Sequence, residues 1–406
     1  MDLLSPEPFW PRRDGLPATY APLERDARCE VAIIGAGITG ALVAWELADA
    51  GIDTIVLDRR ETAHGSTAGS TSLLQYEIDE PLHRLMRQVG TDRAVRSYQR
   101  CRDAVDDIAA LVARLGLDCG FRRRTSLLLA SRAAHLPQLR REFEARRDAG
   151  FLVDWWPRSQ LTRCSTLSQP AAILSHDAAE VDSYRLAHGL LGAAHRRGVR
   201  IHERTAVTRT RFTAGGVELK TARGGTVRAR RLVIAAGYEA GMFLPETLTA
   251  LHSTYAIVTH PVKTFSGWPA DRCLIWETAR PYLYLRTTED DRMIVGGYDE
   301  PFRDPVARDR LLGAKRAALH RRLKQLFPRI AFEVAGAWAG TFAVTAHGLP
   351  YIGRHPAVPH TWFALGFGGN GVVFSQLGAQ MIRDQIQGRA NADEALFGFG
   401  PRRGGG

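Results

Sequence analysis

"VAIIGAGITGALVAWELADAG", Val31 to Gly51, decides how this chain is read. Its opening apolar run, with a charged residue before it and glycine after it, has the pattern of a buried strand. Gly35, Gly37 and Gly40 follow in the spacing G-x-G-x-x-G. The first glycine permits a tight turn, the second lets a pyrophosphate approach the backbone, and the third lets helix and strand pack closely. Leu42, Trp45 and Leu47 are among the apolar positions of a helix expected over Ile38 to Ala50, with Gly51 as its stop. The free N–H groups at its start, at Ile38 and Thr39, would hold phosphates. "DTIVLD" is the next strand, and it ends on Asp58, where a carboxylate can bind the two hydroxyls of an adenosine ribose. A strand–helix–strand unit of this length belongs to a parallel sheet. The unit points to a dinucleotide and leaves FAD and NAD(P) both open. Arg59 adjoins the same site, but arginines after a strand are common and do not by themselves argue for a 2′-phosphate.

Beyond that unit comes "HGSTAGSTSLLQYEID", His64 to Asp79. Gly65, Ser66, Thr67, Gly69, Ser70 and Thr71 make a loop of small residues able to wrap a cofactor closely. A nicotinamide enzyme has no regular need of such a loop, whereas a bulky flavin must be approached by backbone. Gln75, Tyr76 and Glu77 follow it and would line a pocket entrance. Farther on, Ala94, Tyr98, Cys101, Val105, Ile108, Val112 and Leu115 recur at spacings of four and three, the core face of a long helix from Thr91. Short strands punctuated by glycine, from "VRIHE" to "TVRARRLVIAAG", read as a small antiparallel meander. A second β-rich stretch runs from Ser253 to Tyr298. The basic helix after it, Ala307 to Leu326, reads as having a solvated outer face. In "PYLYLR", Tyr282, Tyr284 and Arg286 are two apart and share one strand face. With Tyr255 and Trp276 they are the candidate substrate walls.

The chain has 406 residues, a net charge of +11 and an ordinary globular composition. Of its 54 basic residues only Lys220, Lys263, Lys315 and Lys324 are lysines, and the arginines are dispersed in short pairs. That dispersal argues against a nucleic-acid binder. No apolar run approaches the ~20 residues of a membrane span, and the opening stretch lacks a basic start followed by an apolar run, so a secretory signal is not expected. Five scattered cysteines without a CxxC pair favour a reducing cytoplasm and no structural metal.

Taken in order, these blocks resemble the D-amino-acid oxidase, glycine oxidase and sarcosine oxidase superfamily of FAD enzymes. "VDSYRLAHGLLGAAHRRGVRIHERTAV", "RRLVIAAG", "YLYLRTTEDDRMIVGG", "HGLPYIGR" and "GFGGNGV" extend the likeness from about Cys29 to Gln387. The opening arm, "FWPRRDGLPATYAPLERD", looks nearest the γ-glutamylputrescine oxidase branch. The resemblance implies an α/β fold (α+β overall), a Rossmann-like FAD-binding domain interleaved with an antiparallel-sheet substrate domain. Expected ranges are an arm at 1–27, the FAD domain at 28–80, 155–240 and 335–392, the substrate domain at 81–154 and 241–334, and a flexible tail at 393–406. Val207 would contact adenine through its backbone, and Ala235, Ala236 and Gly237 would pass beneath the dinucleotide. Gly366, Gly368, Gly369, Asn370 and Gly371 would set a second helix N-terminus beside the flavin, favouring its anionic reduced form.

Three departures stand out. Val295 falls where relatives use a lysine for reaction with oxygen, Asn370 where they often have histidine, and His347 where they often have aspartate. No cysteine follows Cys273, so a cysteinyl flavin is not expected, and a link through His64 is a lone-histidine argument; the FAD would be non-covalent. The reading is an FAD enzyme that oxidises a C–N bond of an amine or amino acid, with electrons passing to oxygen or another acceptor. Two alternatives stay open: an NAD(P)-dependent dehydrogenase and a non-catalytic flavoprotein subunit.

Overall fold

The structure, a computed structural model, describes residues 3–5 and 7–400. Its strands form two sheets. In the eight-stranded sheet, Thr361–Leu365, Thr226–Ile234, Ala27–Ile34, Thr54–Leu57 and Arg200–His202 lie side by side and parallel. Val31, Ala32 and Ile33 are fully buried, as a strand covered on both faces requires. The helices Ile38–Asp49, Ser183–Arg196 and Gly371–Ile386 pack together on one face. On the other face, Val217 and Leu219 of the meander share a core with Ala32, Ile55, Ile234 and Phe363. The last meander strand does more than the sequence suggests. One edge of Thr226–Ile234 pairs with Ala27–Ile34; its other edge pairs first with Gly216–Thr221 and then with Thr361–Leu365.

The ten-stranded sheet includes Val334–Thr345, Thr249–Thr259, Met293–Glu300, Leu283–Thr287, Leu274–Glu277, Arg122–Leu129 and Ala171–Glu180. Its pairs are antiparallel except for Leu274–Glu277 with Arg122–Leu129, which is parallel. Membership differs from the expected domain ranges. Ala171–Glu180 and all but the first residue of Val334–Thr345, assigned by sequence to the cofactor domain, pair in this sheet, because strand partners here are set by contacts distant in sequence.

Helix Pro305–Leu326 covers the far face of the large sheet, where Leu319 and Leu323 meet Tyr255, Ile257 and Val295. Its basic run is not simply solvated: Arg308 is fully buried, and Lys315 Nζ donates to Tyr298 O at 2.7 Å. The long helix Thr91–Leu115 turns Ala94, Tyr98, Cys101, Val105 and Ile108 into the core, as its spacing predicts. The arm is anchored by Phe9 and Trp10, both buried. The expected flexible tail is also anchored over its first part. Phe397 is fully buried, and Asp393 accepts Arg96 and Arg100. Residues 401–406 lie outside the described residues.

Candidate active site

At the end of the strand Ala27–Ile34 the chain turns sharply because there is room for nothing else. A Cβ on Gly35 would lie 2.3 Å from the carbonyl oxygen of Ala235, and one on Gly40 would lie 1.8 Å from that of Gly35. Gly40 therefore serves helix–strand packing and does not line the cleft beside it. Gly35, Gly37, Ile38 and Thr39 do line a cleft, with Asp58, Arg59, Val207, Ala236 and Gly237. Asp58 is tied to the glycine turn: Ala36 N–H donates to Oδ2 at 2.7 Å and Arg60 N–H to Oδ1 at 2.8 Å. Burial raises its pKa above the ordinary aspartate value. The Ile38 N–H is taken by Thr67 Oγ1 at 2.9 Å, so it holds the small-residue loop against the helix start. Arg59 pairs with Glu239, which also receives Arg60 Nη1 at 3.0 Å. Glu239 engages both guanidinium groups at the cleft wall, and a carboxylate held there weighs against a 2′-phosphate.

The loop itself contains a short helix, Ser66–Gly69, pinned from three sides. Trp10 Nε1 donates to Ser70 O at 2.6 Å and Trp338 Nε1 to Gly69 O at 2.9 Å. Arg286 Nη1 donates to Ser72 O at 2.8 Å and Val181 O at 2.6 Å. Buried donors from distant segments thus satisfy the loop carbonyls, which burial would otherwise leave costly. His64 lines neither space, and among the described residues no cysteine does.

A second space, the inner chamber, adjoins the cleft. Ser66, Ser70, Tyr238, Gly371 and Val372 line both. At this junction Ser66 Oγ is buried without a hydrogen-bond partner. A cleft with a close-approach glycine turn, a carboxylate at the end of the second strand and an orphaned hydroxyl at its junction with the chamber fits an FAD. The residues lining the cleft would hold its dinucleotide and those at the junction its ring system. Gly371 opens the helix Gly371–Ile386, whose first turn has no side-chain cap. Asn370 occupies the capping position but turns away, donating through Nδ2 to Gln75 O and Glu77 O at 2.9 and 2.8 Å. An uncapped helix start favours negative charge at the junction. Thr39 Oγ1 and Ser375 Oγ, 2.7 Å apart, tie the two glycine-led helices together.

The chamber's other walls are Gln75, Glu77, Trp276, Tyr282 and Tyr284, with Gly65 left in the cleft and Gly69, Thr71, Gly368 and Gly369 in the chamber. Asp79 braces it: Tyr282 Oη donates to Oδ1 at 2.7 Å and Gly369 N–H to Oδ2 at 2.6 Å. An outer vestibule shares Asp79, Tyr282, Asp299, Phe342 and Gly368 with the chamber. Burial pushes the Asp299 carboxyl up to about 6.

Several expected positions lie elsewhere. Tyr255, 1% exposed, points through the sheet toward helix Pro305–Leu326, because Thr254 takes the chamber-facing parity of its strand. Arg286 is on the predicted strand but lies under the small-residue loop, its guanidinium spent on backbone carbonyls. Val295 lies on the same far side as Tyr255, so it is not a chamber position. Tyr76 stacks on Phe151 in the core, centroids 4.8 Å apart. Gly366 lines the vestibule and packs on Thr345.

Sequence reasoning missed Asp79, Asp299, Tyr238 and Phe342. Alternation in "QYEID" could have found Asp79, since Gln75, Glu77 and Asp79 share a parity. No sequence signal finds Asp299. Its strand slips register between Ser253 and Tyr255 of its partner, and Tyr298, at φ +57°, interrupts the alternation.

Among the described residues, no group of three or more His, Cys, Asp or Glu could hold a metal ion, and no helix is long and apolar enough to cross a membrane. Comparison with known proteins agrees with this architecture. The gamma-glutamylputrescine oxidoreductase of Escherichia coli K12 is 25% identical over 93% of this chain and 88% of its own length. The glycine oxidase of Bacillus subtilis 168 is 25% identical over 91% of this chain and 96% of its own. The crystal structure of glycine oxidase from Geobacillus kaustophilus superposes with a TM-score of 0.77 at 22% identity, covering 92% of this chain and 99% of that one. The model of the DAO family, FAD dependent oxidoreductase, matches residues 30–385, and the chain belongs to that family.

Proposed function

We propose that this FAD-dependent oxidoreductase oxidises a C–N bond of an amine or amino acid. The observation that carries the reading is the continuity of the dinucleotide cleft with an aromatic-walled chamber, joined where Ser66, Tyr238 and Gly371 line both. When bound, the flavin supplies the hydride acceptor. The chain's residues then have three tasks. Trp276, Tyr282 and Tyr284 would confine the substrate carbon against the junction and displace water. The uncapped start of Gly371–Ile386 would stabilise negative charge gained at the junction. The substrate nitrogen must be neutral when its neighbouring carbon gives up hydride, so the site must release one proton before the step. The C–N single bond becomes C=N, and water then cleaves the imine to a carbonyl compound and a free amine or ammonia. Electrons leave to oxygen or another acceptor.

Anaerobic mixing of the purified yellow protein with a panel of amines and amino acids tests this. Bleaching of the flavin band by at least one compound is expected. A protein that retains flavin and is reduced by none sinks the reading.

A further inference from the structure

The inner chamber is acidic on its substrate side. Glu77, Asp79 and Asp299 line it, and among the described residues no lysine, arginine or histidine does. Asp79 is engaged by Tyr282 and Gly369. Glu77, 3% exposed, meets Arg146 through Oε1 at 3.3 Å, while its buried Oε2 has no partner. Asp299 Oδ1 is also buried without a partner. Asp299 lines both chamber and vestibule, so it borders the two spaces.

The cations nearby lie outside the chamber lining, and Arg280 is in the vestibule. Arg280 donates to Asp79 O at 2.6 Å and lies over the Tyr282 ring at 4.7 Å. Lys315 is held by Tyr298 O and Glu300 on the far side of the strand. Arg286 is bonded beneath the loop. His252, in the vestibule, has its pKa lowered by burial, which favours the neutral ring.

An α-amino acid would bring a carboxylate into this chamber, beside three carboxylates and with no lysine, arginine or histidine in the chamber lining to meet it. Burying an unpaired charge there is costly, and like charges at close range add to that cost. An amine that is cationic in water meets the opposite situation. Its ammonium would satisfy an acceptor that the fold leaves open, in a charge-assisted hydrogen bond.

Building on the amine-or-amino-acid reading above, we propose that the site takes an aliphatic amine without an α-carboxylate and that Asp299 is the specificity-determining residue receiving its positive charge. Thr254, Tyr284 and Phe342 line the chamber with it. Thr254 Oγ1 and Tyr284 Oη lie 3.1 Å apart.

The test is anaerobic flavin reduction of the full chain by n-butylamine and 1,4-diaminobutane against glycine, sarcosine, D-alanine and L-proline. At least one amine should reduce the flavin at lower concentration than any of the amino acids. Asp299→Asn, nearly the same shape, should raise the half-saturating amine concentration roughly 10- to 100-fold while flavin content and limiting rate change little. A second readout needs no variant. The amines stay cationic throughout pH 5–8, whereas Asp299, pushed up to about 6 by burial and the nearby Asp79 and drawn down by Thr254, Lys315 and Arg280, loses its charge at the acid end. Half-saturation by amine should therefore rise as pH falls through that value, and this dependence should vanish in Asp299→Asn. Amino acids reducing the flavin as readily as amines, or an unchanged half-saturation in the variant, overturns the inference and leaves the oxidoreductase reading intact. Reduction by neither class overturns both.

Discussion

Around Gly35 and Gly40 an added methyl would strike backbone: the carbonyl oxygens of Ala235 and of Gly35. Around Gly368 and Gly369 it would strike side chains: Asp79, at 2.5 and 2.8 Å, and at Gly369 also the Tyr282 hydroxyl, at 3.1 Å. The two turns look alike in sequence, yet one is fixed by main chain against main chain and the other is braced by a carboxylate 290 residues away. Backbone cannot yield without moving the central strand, whereas a side chain can. The first turn is therefore part of the fold, and the second is a chamber wall braced by side chains.

The largest effect should come from Gly40→Ala. With no flexible side chain to give way, helix and strand must separate, at a cost of about 3 kcal/mol. Urea unfolding of the apoprotein and flavin content after purification measure it. A variant that unfolds and binds flavin like the parent would break the comparison from its rigid side. Asp79→Ala should cost less, about 2 kcal/mol, by removing the acceptors of the Gly369 N–H and the Tyr282 hydroxyl. That loss should appear in urea unfolding of the apoprotein and also as faster flavin release on dilution; if neither changes, the carboxylate does not brace the turn. Gly371→Ala should be the mildest. Nothing lies within 4 Å of the added methyl, and alanine is the better helix former, so apoprotein stability should shift by less than about 1 kcal/mol. Any weakening of flavin binding would then report a direct clash at the junction.

The cofactor half of the site was legible because its signals are local. Gly35, Gly37 and Gly40 act within one turn, Asp58 closes the same unit, and Ser66 and Ser70 follow within one loop. The substrate half was read less well. Tyr282, Tyr284 and Trp276 reach the chamber, but Arg286, with the right parity on the right strand, is spent on the carbonyls of Ser72 and Val181. Tyr255 has the wrong parity, which depends on a register fixed by its partner strands.

By itself, the sequence determined that a dinucleotide lies on a parallel sheet and that a glycine-led helix returns near the end of the chain, since turns, caps and periodicity are set by neighbours a few residues apart. Only the tertiary structure decided that the two helix starts touch through Thr39 and Ser375, that Asp79 braces the second turn, and that a register slip brings Asp299 to the chamber. Those features depend on which strands pair and how far they slide, and that is settled by burial of the whole core.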